Sequence, residues 1–348
     1  VNYANGNIVQ QQLGLPGTNQ NLTVGGNFNW ELDFWGKFRR ANEAALADLI
    51  STEHGLRSVQ MSLISEVASS YFLLLDYRER LRVSKNTLAL RDSSLNIISE
   101  RFNAGIIPEI DLNQAQIQQA IAAAAIPLYK RQVAQSEHSL SILVGYNPDS
   151  VIVGFALKDQ VIPKMVPPGI PSALLARRPD IMAAEQNVYS ANAKVGVAVA
   201  QQFPSISLTG VLGVASNDLA NFGAAGAAWS VGGDLLGPLF YFNKNKRRVE
   251  VEKAKTEQAI YAYEKTVLIA FAEVQDALIE ISTLHEELDA RSNYVTAALN
   301  ARDLGAARYD KGVTSYLEVL QTEQSAFEAE LSYAKTYREL LNAYVKFY

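Results

Sequence analysis

Histidine, cysteine and clustered carboxylates are the side chains from which proteins most often build metal and catalytic sites. This chain of 348 residues has no cysteine, and its three histidines lie far apart at His54, His138 and His285. None of the three has an acidic or histidine partner at metal-ligand spacing, and the phosphate-binding, nucleophile-elbow and dinucleotide motifs are absent from the sequence. The sequence therefore predicts no catalytic residue, no metal site, no cofactor and no enzyme activity.

Charge and hydropathy narrow the class of protein further. The formal net charge is −5, the isoelectric point is near 5.4 and no basic patch dominates, which argues against nucleic acid as a partner. Apolar residues make up 48% of the chain, but no run of 18 of them occurs, so we expect no transmembrane helix. The chain begins at Val1 without a signal-peptide pattern, and we expect it to be an internal or processed piece.

A pattern of arginine, aromatic, glycine, acid and glutamine occurs twice in the chain. Residues 101–116 read RFNAGIIPEIDLNQAQ, and residues 308–323, 207 positions later, read RYDKGVTSYLEVLQTE. The correspondence continues upstream without a gap, so that residues 32–116 align with residues 239–323. Two structurally equivalent halves are the simplest explanation of such a repeat.

The segment before each copy of the pattern is almost free of helix-breaking residues. Residues 37–104 and 244–311 contain no proline and one glycine each, which predicts two helices of about 100 Å. In the first of them an apolar residue recurs at every seventh position, at Val67, Leu74, Leu81, Leu88, Leu95 and Phe102. This spacing indicates helices that supercoil against neighbours. A long amphipathic helix with a chance leucine register is the alternative.

A second helix is predicted after each break, over residues 110–145 and 315–348. Gly105 and Gly312 supply the breaks, since glycine adopts the left-handed conformation that commonly ends a helix. Each half is thus expected to be a long helical hairpin with a tight tip.

Proline marks two further places in the chain. Pro127 is expected to kink or interrupt the first returning helix, because proline lacks the N–H group that a helix interior needs. Residues 145–180 are rich in proline, which predicts a linker of extended and short helical pieces between the two halves.

Alternating apolar and polar residues precede each long helix. Residues 22–33 follow this period-two pattern, as do residues 203–214 and 227–239, and the pattern predicts strands with one apolar and one polar face. Lengths near ten residues, aromatic residues toward the strand ends and small residues between them are typical of outer-membrane barrels. Strands of a soluble sandwich would also alternate. So few strands cannot close a barrel, so a membrane barrel would have to be shared between chains.

The chain strongly resembles the TolC-like outer membrane efflux protein family at residues 172–210, SALLARRPDIMAAEQNVYSANAKVGVAVAQQFPSISLTG. The family pattern there is roughly LLxRRPDIRxAE, followed by small residues and FPxISLTG, and Met182 replaces the usual arginine. Residues 30–40, WELDFWGKFRR, are similar to the family's strand-to-helix turn WELDLFG. The resemblance covers essentially the whole chain and is strongest to the lipoprotein branch that serves resistance-nodulation-division pumps.

The resemblance implies a mainly α fold with membrane β structure. Long coiled-coil helical hairpins of a homotrimer would form a periplasmic α-barrel, and four strands from each subunit would form a shared twelve-stranded outer-membrane β-barrel in contact with lipid. The expected location is the outer membrane of a Gram-negative bacterium, with the helical part in the periplasm. The expected segments are 1–35 for N-terminally truncated strands, 36–145 for the first hairpin, 146–180 for the equatorial linker, 181–202 for a short helix, 203–240 for a β-hairpin and 241–348 for the second hairpin.

The resemblance also implies a passive duct rather than an enzyme. The channel would carry drugs or other small molecules outward from an inner-membrane resistance-nodulation-division pump and a periplasmic adaptor (membrane fusion) protein. The exit duct of a type I protein secretion system is the alternative within the family. A soluble coiled-coil scaffold is the alternative of another class, but it leaves the alternating segments unexplained.

In this family the hairpin tips meet the adaptor and coil together to shut the tunnel. We call residues 101–112 the first tip and residues 308–319 the second tip. The residues expected to contact the adaptor are Arg101, Gly105, Ile106, Asp111, Arg308, Gly312, Val313 and Glu318. Of these, the two acids fall in the first turn of the returning helices, where the helix dipole favours a negative charge.

The gate of the pump-associated branch places a leucine and, four residues later, an aspartate in the second tip. Leu317 matches the leucine, but Gln321 stands at the aspartate position and Gln324 stands where arginine is common. The resemblance therefore implies a periplasmic gate at these three residues that is closed by an apolar ring of Leu317 rather than by carboxylates. Because the second tip also carries Tyr316 and Leu320, we expect it to do more of the closing than the first.

Overall fold

The computed structural model describes residues 2–5, 18–162, 176–216, 226–238 and 240–348, with the backbone alone for residues 2–5, 18–23, 216 and 226. The elements in chain order are β1 (Asn2–Asn5), β2 (Thr18–Leu32), α1 (Lys37–Asn103), α2 (Glu109–Val144), a 3-10 helix (Leu157–Asp159), α3 (Pro179–Ala200), β3 (Ser205–Ser216), β4 (Gly226–Leu236), α4 (Lys244–Asp310) and α5 (Tyr316–Phe347). Strands therefore precede two long helical hairpins, as the sequence predicts.

The chain divides into two compact units. The first contains Val1–Gly55 and Pro179–Thr266, which include the four strands, α3 and the beginnings of α1 and α4. The second contains Leu56–Arg178 and Val267–Tyr348, which include the rest of the long helices together with α2, the 3-10 helix and α5. Both hairpin tips belong to the second unit.

The four strands form antiparallel pairs in the order β1-β2-β3-β4. β2 pairs with β3 from Leu22 opposite Ser216 to Leu32 opposite Ile206. β4 pairs with the other side of β3 along almost its whole length. The central strand β3 is thus satisfied on both sides by hydrogen bonds.

One face of this sheet is apolar and exposed. Trp30 lies opposite Leu208, and Leu212 lies opposite Trp229, so the register places the large apolar side chains of three strands on one face. Trp30 is 53% exposed and Trp229 is 73% exposed. The polar face carries Asn27, Asn29, Glu31, Ser207, Thr209, Ser230 and Asp234. The period-two pattern is therefore confirmed as two distinct faces, and an exposed apolar face is suited to lipid.

The long helices α1 and α4 contain 67 residues each, so each is about 100 Å long. Neither helix breaks at its internal glycine, Gly55 or Gly305. One window of 18 residues in α1 reaches a mean hydropathy of 1.2, enough to cross a membrane by length and composition alone. This differs from the expectation of no such segment, because a search for unbroken apolar runs overlooks windows that contain single polar residues. Helices that pack against neighbours pass the same test.

The returning helix α2 continues through its proline. It runs from Glu109 to Val144 with Pro127 inside, so an interruption is wrong, and a kink at Pro127 stays a prediction. Pro127 is exposed, and the nearby carbonyl group that loses its N–H donor can accept a hydrogen bond from water instead. The helix ends at Gly145, whose φ of 86° is in the left-handed region.

Buried side chains of α5 form much of the core of the second unit. Tyr337 and Leu341 pack with Leu75 of α1 and with Leu157 of the 3-10 helix. The Tyr337 hydroxyl also donates a hydrogen bond to the carbonyl oxygen of Gln160, at 3.0 Å. These contacts fix residues 157–160, within the described part of the linker, onto the second returning helix.

A buried carboxylate ties α1 to α5 within the same unit. Asp76 is 1% exposed and accepts a 2.7 Å hydrogen bond from Nε of Arg80. Its second oxygen lies 3.1 Å from Nε of Arg338 on α5. Two guanidinium groups thus compensate one buried charge, which would be costly alone.

Candidate functional site

The two tips share one backbone geometry. Gly105 and Gly312 follow α1 and α4 with φ angles of 72° and 71°. In the first tip the N–H of Gly105 donates to the carbonyl of Phe102 at 2.8 Å, and the N–H of Ile106 donates to the carbonyl of Arg101 at 2.9 Å. The corresponding distances in the second tip are 2.9 and 3.0 Å. This arrangement is the Schellman helix end, which needs a left-handed residue, so both glycines are turn formers.

Apolar side chains at both tips are exposed. Ile106 is 70% exposed and Ile110 is 58% exposed in the first tip, and Val313 is 66% exposed and Leu317 is 52% exposed in the second. Large aliphatic side chains that cluster at the surface of a single chain are typical of contact surfaces, and the contact at the tips stays a prediction.

Arg101 links the first tip to the second. Its Nη2 donates to Oδ1 of Asp310 at 3.4 Å, and its guanidinium lies 4.8 Å from the ring centre of Tyr309. The interaction with the ring is a cation–π contact. The side chain of Asp310 is 64% exposed, so solvent weakens the ion pair. Arg101 is therefore engaged by the neighbouring tip, a partnership that the sequence did not indicate.

Arg308 and Glu318 form an ion pair inside the second tip. Nη1 of Arg308 lies 3.0 Å from the carboxylate of Glu318, which also accepts a hydrogen bond from the hydroxyl of Thr314. Asp111 stands at the equivalent position of the first tip, and within the described residues its side chain forms no ion pair or hydrogen bond. The two acids placed in the first helical turns thus have different surroundings.

The beginning of α5 has a buried face. Tyr316, Val319 and Leu320 pack with Ile98 of α1 and Ala115 of α2. Tyr316 is 4% exposed, whereas Glu109, its counterpart in the repeat, is exposed. The second tip is therefore fixed by a small apolar core between three helices.

The three predicted gate residues lie on an exposed side of α5, next to this buried face. Leu317, Gln321 and Gln324 are spaced by four and three residues, so they share one side of the helix, and all three are exposed. Nε2 of Gln324 donates to Glu328 at 2.9 Å. Gln321 forms no side-chain hydrogen bond within the described residues. The structure thus brings the three residues into one row, and their role as a gate stays a prediction.

Sequence reasoning missed a polar pair behind this row, the buried Arg91 and the partly buried Glu323. Arg91 of α1 is 3% exposed, and its Nη1 donates to the carbonyl of Gln118 at 2.7 Å. Glu323 of α5 accepts a 3.4 Å hydrogen bond from the hydroxyl of Ser94. The available signal was that Glu323 follows Tyr316 by seven residues, which places a carboxylate on the buried face of the helix.

Burial shifts the acid–base behaviour of this pair. It raises the pKa of Glu323, an effect that Arg91, Ser94 and Arg302 partly offset. It also lowers the pKa of the Arg91 guanidinium, and Glu323 partly offsets that shift. The pKa of Tyr316 is raised mainly by burial as well. Burial at the base of the second tip therefore disfavours the charged forms of all three groups relative to water.

No metal-binding cluster occurs within the described part of the chain. No group of three or more histidine, cysteine, aspartate or glutamate residues comes together there. Nε2 of His285 is instead 2.9 Å from the hydroxyl of Tyr344, and His138 is exposed on α2.

Comparison with known proteins identifies the family. The family model described as outer membrane efflux protein matches residues 4–146 and 170–348. The chain belongs to this family. An outer membrane efflux protein, the solvent efflux pump outer membrane protein SrpC of Pseudomonas putida, is 34% identical over 321 residues, which are 92% of this chain and 68% of that protein.

Two further comparisons agree with this assignment. The cation efflux system protein CusC of Escherichia coli K12 is 30% identical over 335 residues, which cover 94% of this chain and 73% of CusC. The crystal structure of a membrane protein from Pseudomonas aeruginosa matches this fold with a TM-score of 0.93 at 29% identity, over 99% of this chain and 81% of that one.

Membership confirms the predicted class and location. This outer membrane efflux protein is a channel component of a tripartite efflux system in the outer membrane of a Gram-negative bacterium, with its helical hairpins in the periplasm. Proteins of the family are channels that work with adaptors and inner-membrane pumps. A soluble coiled-coil scaffold, the alternative of another class, does not fit this assignment.

Proposed function

We propose that three copies of the chain form a passive duct that carries small molecules from an inner-membrane pump and its adaptor across the outer membrane. The four-stranded sheet with its exposed apolar face carries this proposal. Four strands cannot close a barrel, and an open edge in lipid leaves backbone groups without partners. Strands from two identical copies satisfy both edges, while the apolar face contacts outer-membrane lipid.

The second tip closes the periplasmic entrance of this duct. Leu317 is 52% exposed on a helix whose other face is fixed by Tyr316 and Leu320. With threefold symmetry one exposed leucine becomes a ring of three, which excludes water and ions from a narrow passage. Gln321 and Gln324 add neutral amides next to the ring, so this gate does not depend on carboxylates or on ion pairs with arginine.

The adaptor contacts the exposed surface of both tips. Ile106 and Val313 provide the apolar part of this surface beside the glycine turns. The remaining contact residues are Arg101, Gly105, Asp111, Arg308, Gly312 and Glu318. A polar rim around exposed aliphatic side chains is the usual anatomy of a protein interface.

The pump rather than the duct selects the cargo. The names of two relatives refer to different cargoes, solvents for SrpC and cations for CusC, although the two proteins match this chain over nearly the same length. A duct of one architecture that serves such different molecules needs no binding site for either of them. We therefore assign this protein to a pump of the resistance-nodulation-division class that exports drugs or other small molecules.

Conductance in a planar bilayer tests the gate. Leu317→Ser removes the apolar ring and is expected to raise single-channel conductance. Ile110→Ser is the matched control, because Ile110 is the counterpart of Leu317 in the repeat and is similarly exposed, at 58%. We expect Ile110→Ser to leave conductance near the wild-type value. Unchanged conductance in Leu317→Ser, or a larger rise in Ile110→Ser, would remove the gate role from the second tip.

The mass of the detergent-solubilised protein tests the duct itself. We expect a trimer that needs detergent to stay in solution, and a monodisperse water-soluble dimer of the full-length protein would contradict the proposal. Export assays in cells separate the two kinds of duct. Secretion of a protein substrate without any effect on small-molecule resistance would favour a type I secretion exit duct instead.

A further inference from the structure

A cavity of about 310 Å³ lies where the strands of the first unit lead into the long helices. Its wall includes three basic side chains, those of Lys37, Lys244 and Arg248. The aromatic side chains of Trp35 and Tyr241 also line it. Neither tip contributes residues to this cavity, and the proposed gate and adaptor surface do not involve it.

The internal repeat supplies two versions of this strand-to-helix junction. In the first, Nζ of Lys37 donates to the carboxylate of Glu31 at 3.0 Å. The carboxylate of Asp33 accepts hydrogen bonds from the backbone N–H groups of Phe38 and Arg39, both at 2.8 Å. Two acidic side chains thus neutralise the lysine and the positive end of the α1 dipole.

The second junction keeps the cation and lacks both carboxylates. Lys244 corresponds to Lys37, but Pro238 and Phe240 stand at the two acidic positions. Arg248 adds another cation one turn later on the same side of α4. Within the described residues the side chains of Lys244 and Arg248 form no ion pair and no hydrogen bond. Glu31 and Asp33 of the first junction line the same cavity, but Lys37 and the backbone N–H groups of α1 already engage them. The two exposed side chains of Lys244 and Arg248 are therefore the positive charges of this cavity that have no carboxylate of the described residues within ion-pair distance.

Aromatic side chains surround the cavity at the level of the strand ends. The ring of Trp35 stacks on Phe203 with the ring centres 4.4 Å apart, and its Nε1 donates to the carbonyl of Pro204 at 2.7 Å. Phe240 is 74% exposed and Phe242 is 85% exposed. Exposed aromatic residues at the ends of membrane strands lie at the depth of the lipid headgroups. The helices are periplasmic, so this is the periplasmic surface of the outer membrane.

We propose that this cavity binds the phosphate group of a phospholipid from the periplasmic leaflet of the outer membrane. The phosphate oxygens accept charge-assisted hydrogen bonds from Lys244 and Arg248 and so replace the carboxylates that the first junction carries itself. The acyl chains contact Phe240 and Phe242, which a free phosphate ion would leave exposed to water. This site rests on the outer-membrane location of the family and is independent of the gate and of the cargo.

Native mass spectrometry of the purified full chain in a non-ionic detergent tests the site. Three probes are compared: phosphatidylglycerol, a diacylglycerol with the same acyl chains, and inorganic phosphate. We expect retained adducts with phosphatidylglycerol alone, because both the phosphate and the tails are needed. If the diacylglycerol is retained as well as phosphatidylglycerol, the site is an apolar surface that does not recognise phosphate. If inorganic phosphate binds and the lipids do not, the site is a simple anion site. Either result overturns the proposal.

Paired variants separate the site from the general charge of α4. The double variant Lys244→Gln/Arg248→Gln is expected to weaken phosphatidylglycerol binding by roughly tenfold or more, since each lost bond involves a charged group. The control Lys246→Gln/Arg247→Gln removes the same charge from side chains that do not line the cavity and is expected to bind as wild type. An equal loss of phosphatidylglycerol binding in both double variants would mean that only the overall charge of α4 matters, and it would contradict the proposal.

A built-in carboxylate provides the converse test. Phe240→Asp copies the acid of the first junction into the second and is expected to compete with the lipid, so that phosphatidylglycerol binding falls. Thermal stability in lipid-free detergent should not fall in this variant, which separates competition from misfolding. Undiminished lipid binding in a well-folded Phe240→Asp protein would contradict the proposal, as would a change in trimer stability that is independent of added lipid.

Discussion

The two tips have the same backbone turn, but the side chains that pack behind the two turns differ. Gly105 and Gly312 adopt φ angles within one degree of each other and make the same pair of backbone hydrogen bonds. Beyond the turn the similarity ends. Helix α5 buries twelve of its 32 residues, including Tyr316, whereas α2 buries five of its 36, none of them large at the tip. The repeat thus preserves the backbone of the tip and varies the packing behind it.

This difference has a physical consequence for the predicted gate. A turn alone does not orient side chains further along a helix, but a buried face does, because it fixes the rotation of that helix about its axis. The apolar core beneath the second tip therefore fixes the direction of Leu317. The first tip exposes Ile110 instead and places only the partly buried Ile107 and Leu112 against this core.

The largest expected effect comes from removing the core of the second tip. Tyr316→Ala deletes a buried aromatic ring and should lower the free energy of unfolding by about 3–5 kcal/mol. Glu109→Ala at the matching exposed position of the first tip should change it by less than about 0.5 kcal/mol. Denaturant unfolding of both variants, followed by helical circular dichroism, measures the difference. A similar loss of unfolding free energy in both variants would mean that packing stabilises the two tips equally.

A second test addresses what the tips share. Gly105→Ala and Gly312→Ala each force a side chain into the left-handed region, at a cost of about 1–2 kcal/mol that should be equal in the two tips. Space is not the cause, since a Cβ at either position meets no atom within 4 Å. Gly55→Ala inside α1 is the control and should instead stabilise the protein by about 0.5–1 kcal/mol. Unequal losses at the tips would show that the turns are not equivalent.

The sequence was sufficient for features that depend on local pattern. Glycine marks both helix ends, heptad spacing predicts the long helices, and period-two alternation separates the two faces of the sheet. The row of Leu317, Gln321 and Gln324 also follows from helical spacing alone. Pro127 shows the limit of a local rule, since an exposed proline can be tolerated inside a helix when water replaces the missing donor.

The sequence was insufficient for contacts between distant segments. Arg91 and Glu323 are 232 positions apart, and their proximity depends on how α1 and α5 are rotated against each other. Arg101 and Asp310 are also far apart, and nothing in their local sequences indicates that the ends of α1 and α4 meet. Charge alone suggested solvent-exposed residues in both cases, and only packing distinguishes the buried pair from the exposed one.

We expect the partly buried Glu323 to make the stability of the second tip depend on pH. Burial raises the pKa of Glu323 in the folded protein above its value in the unfolded chain. The folded state therefore holds the proton more strongly, and its stability falls as pH rises through that raised pKa. Acidification across the same window should stabilise the protein. Thermal unfolding of wild type and Glu323→Gln over mildly acidic to neutral pH measures this contribution.

The variant Glu323→Gln has no titrating group at this position. Its stability should therefore change less with pH than that of wild type between mildly acidic and neutral pH. Glu328→Gln is the control, because Glu328 is exposed on the same helix and its loss should leave the slope unchanged. A wild-type profile that rises with pH, or an unchanged slope in Glu323→Gln, would mean that Arg91 compensates the buried carboxylate fully. An ion pair rather than apolar packing would then stabilise the second tip.

The smallest expected effect comes from the ion pair between the tips. Arg101→Gln and Asp310→Asn in a double-mutant cycle should show a coupling below about 1 kcal/mol, because Asp310 is largely exposed and the 3.4 Å contact is long. Added salt should reduce the coupling further. The same cycle on Arg308 and Glu318 provides the comparison inside the second tip, where the contact is 3.0 Å. The coupling between the tips could instead exceed the coupling inside the second tip and persist in high salt. That result would show that an ion pair holds the first tip, whereas apolar packing holds the second. The two tips would then differ in the kind of force that positions them as well as in its strength.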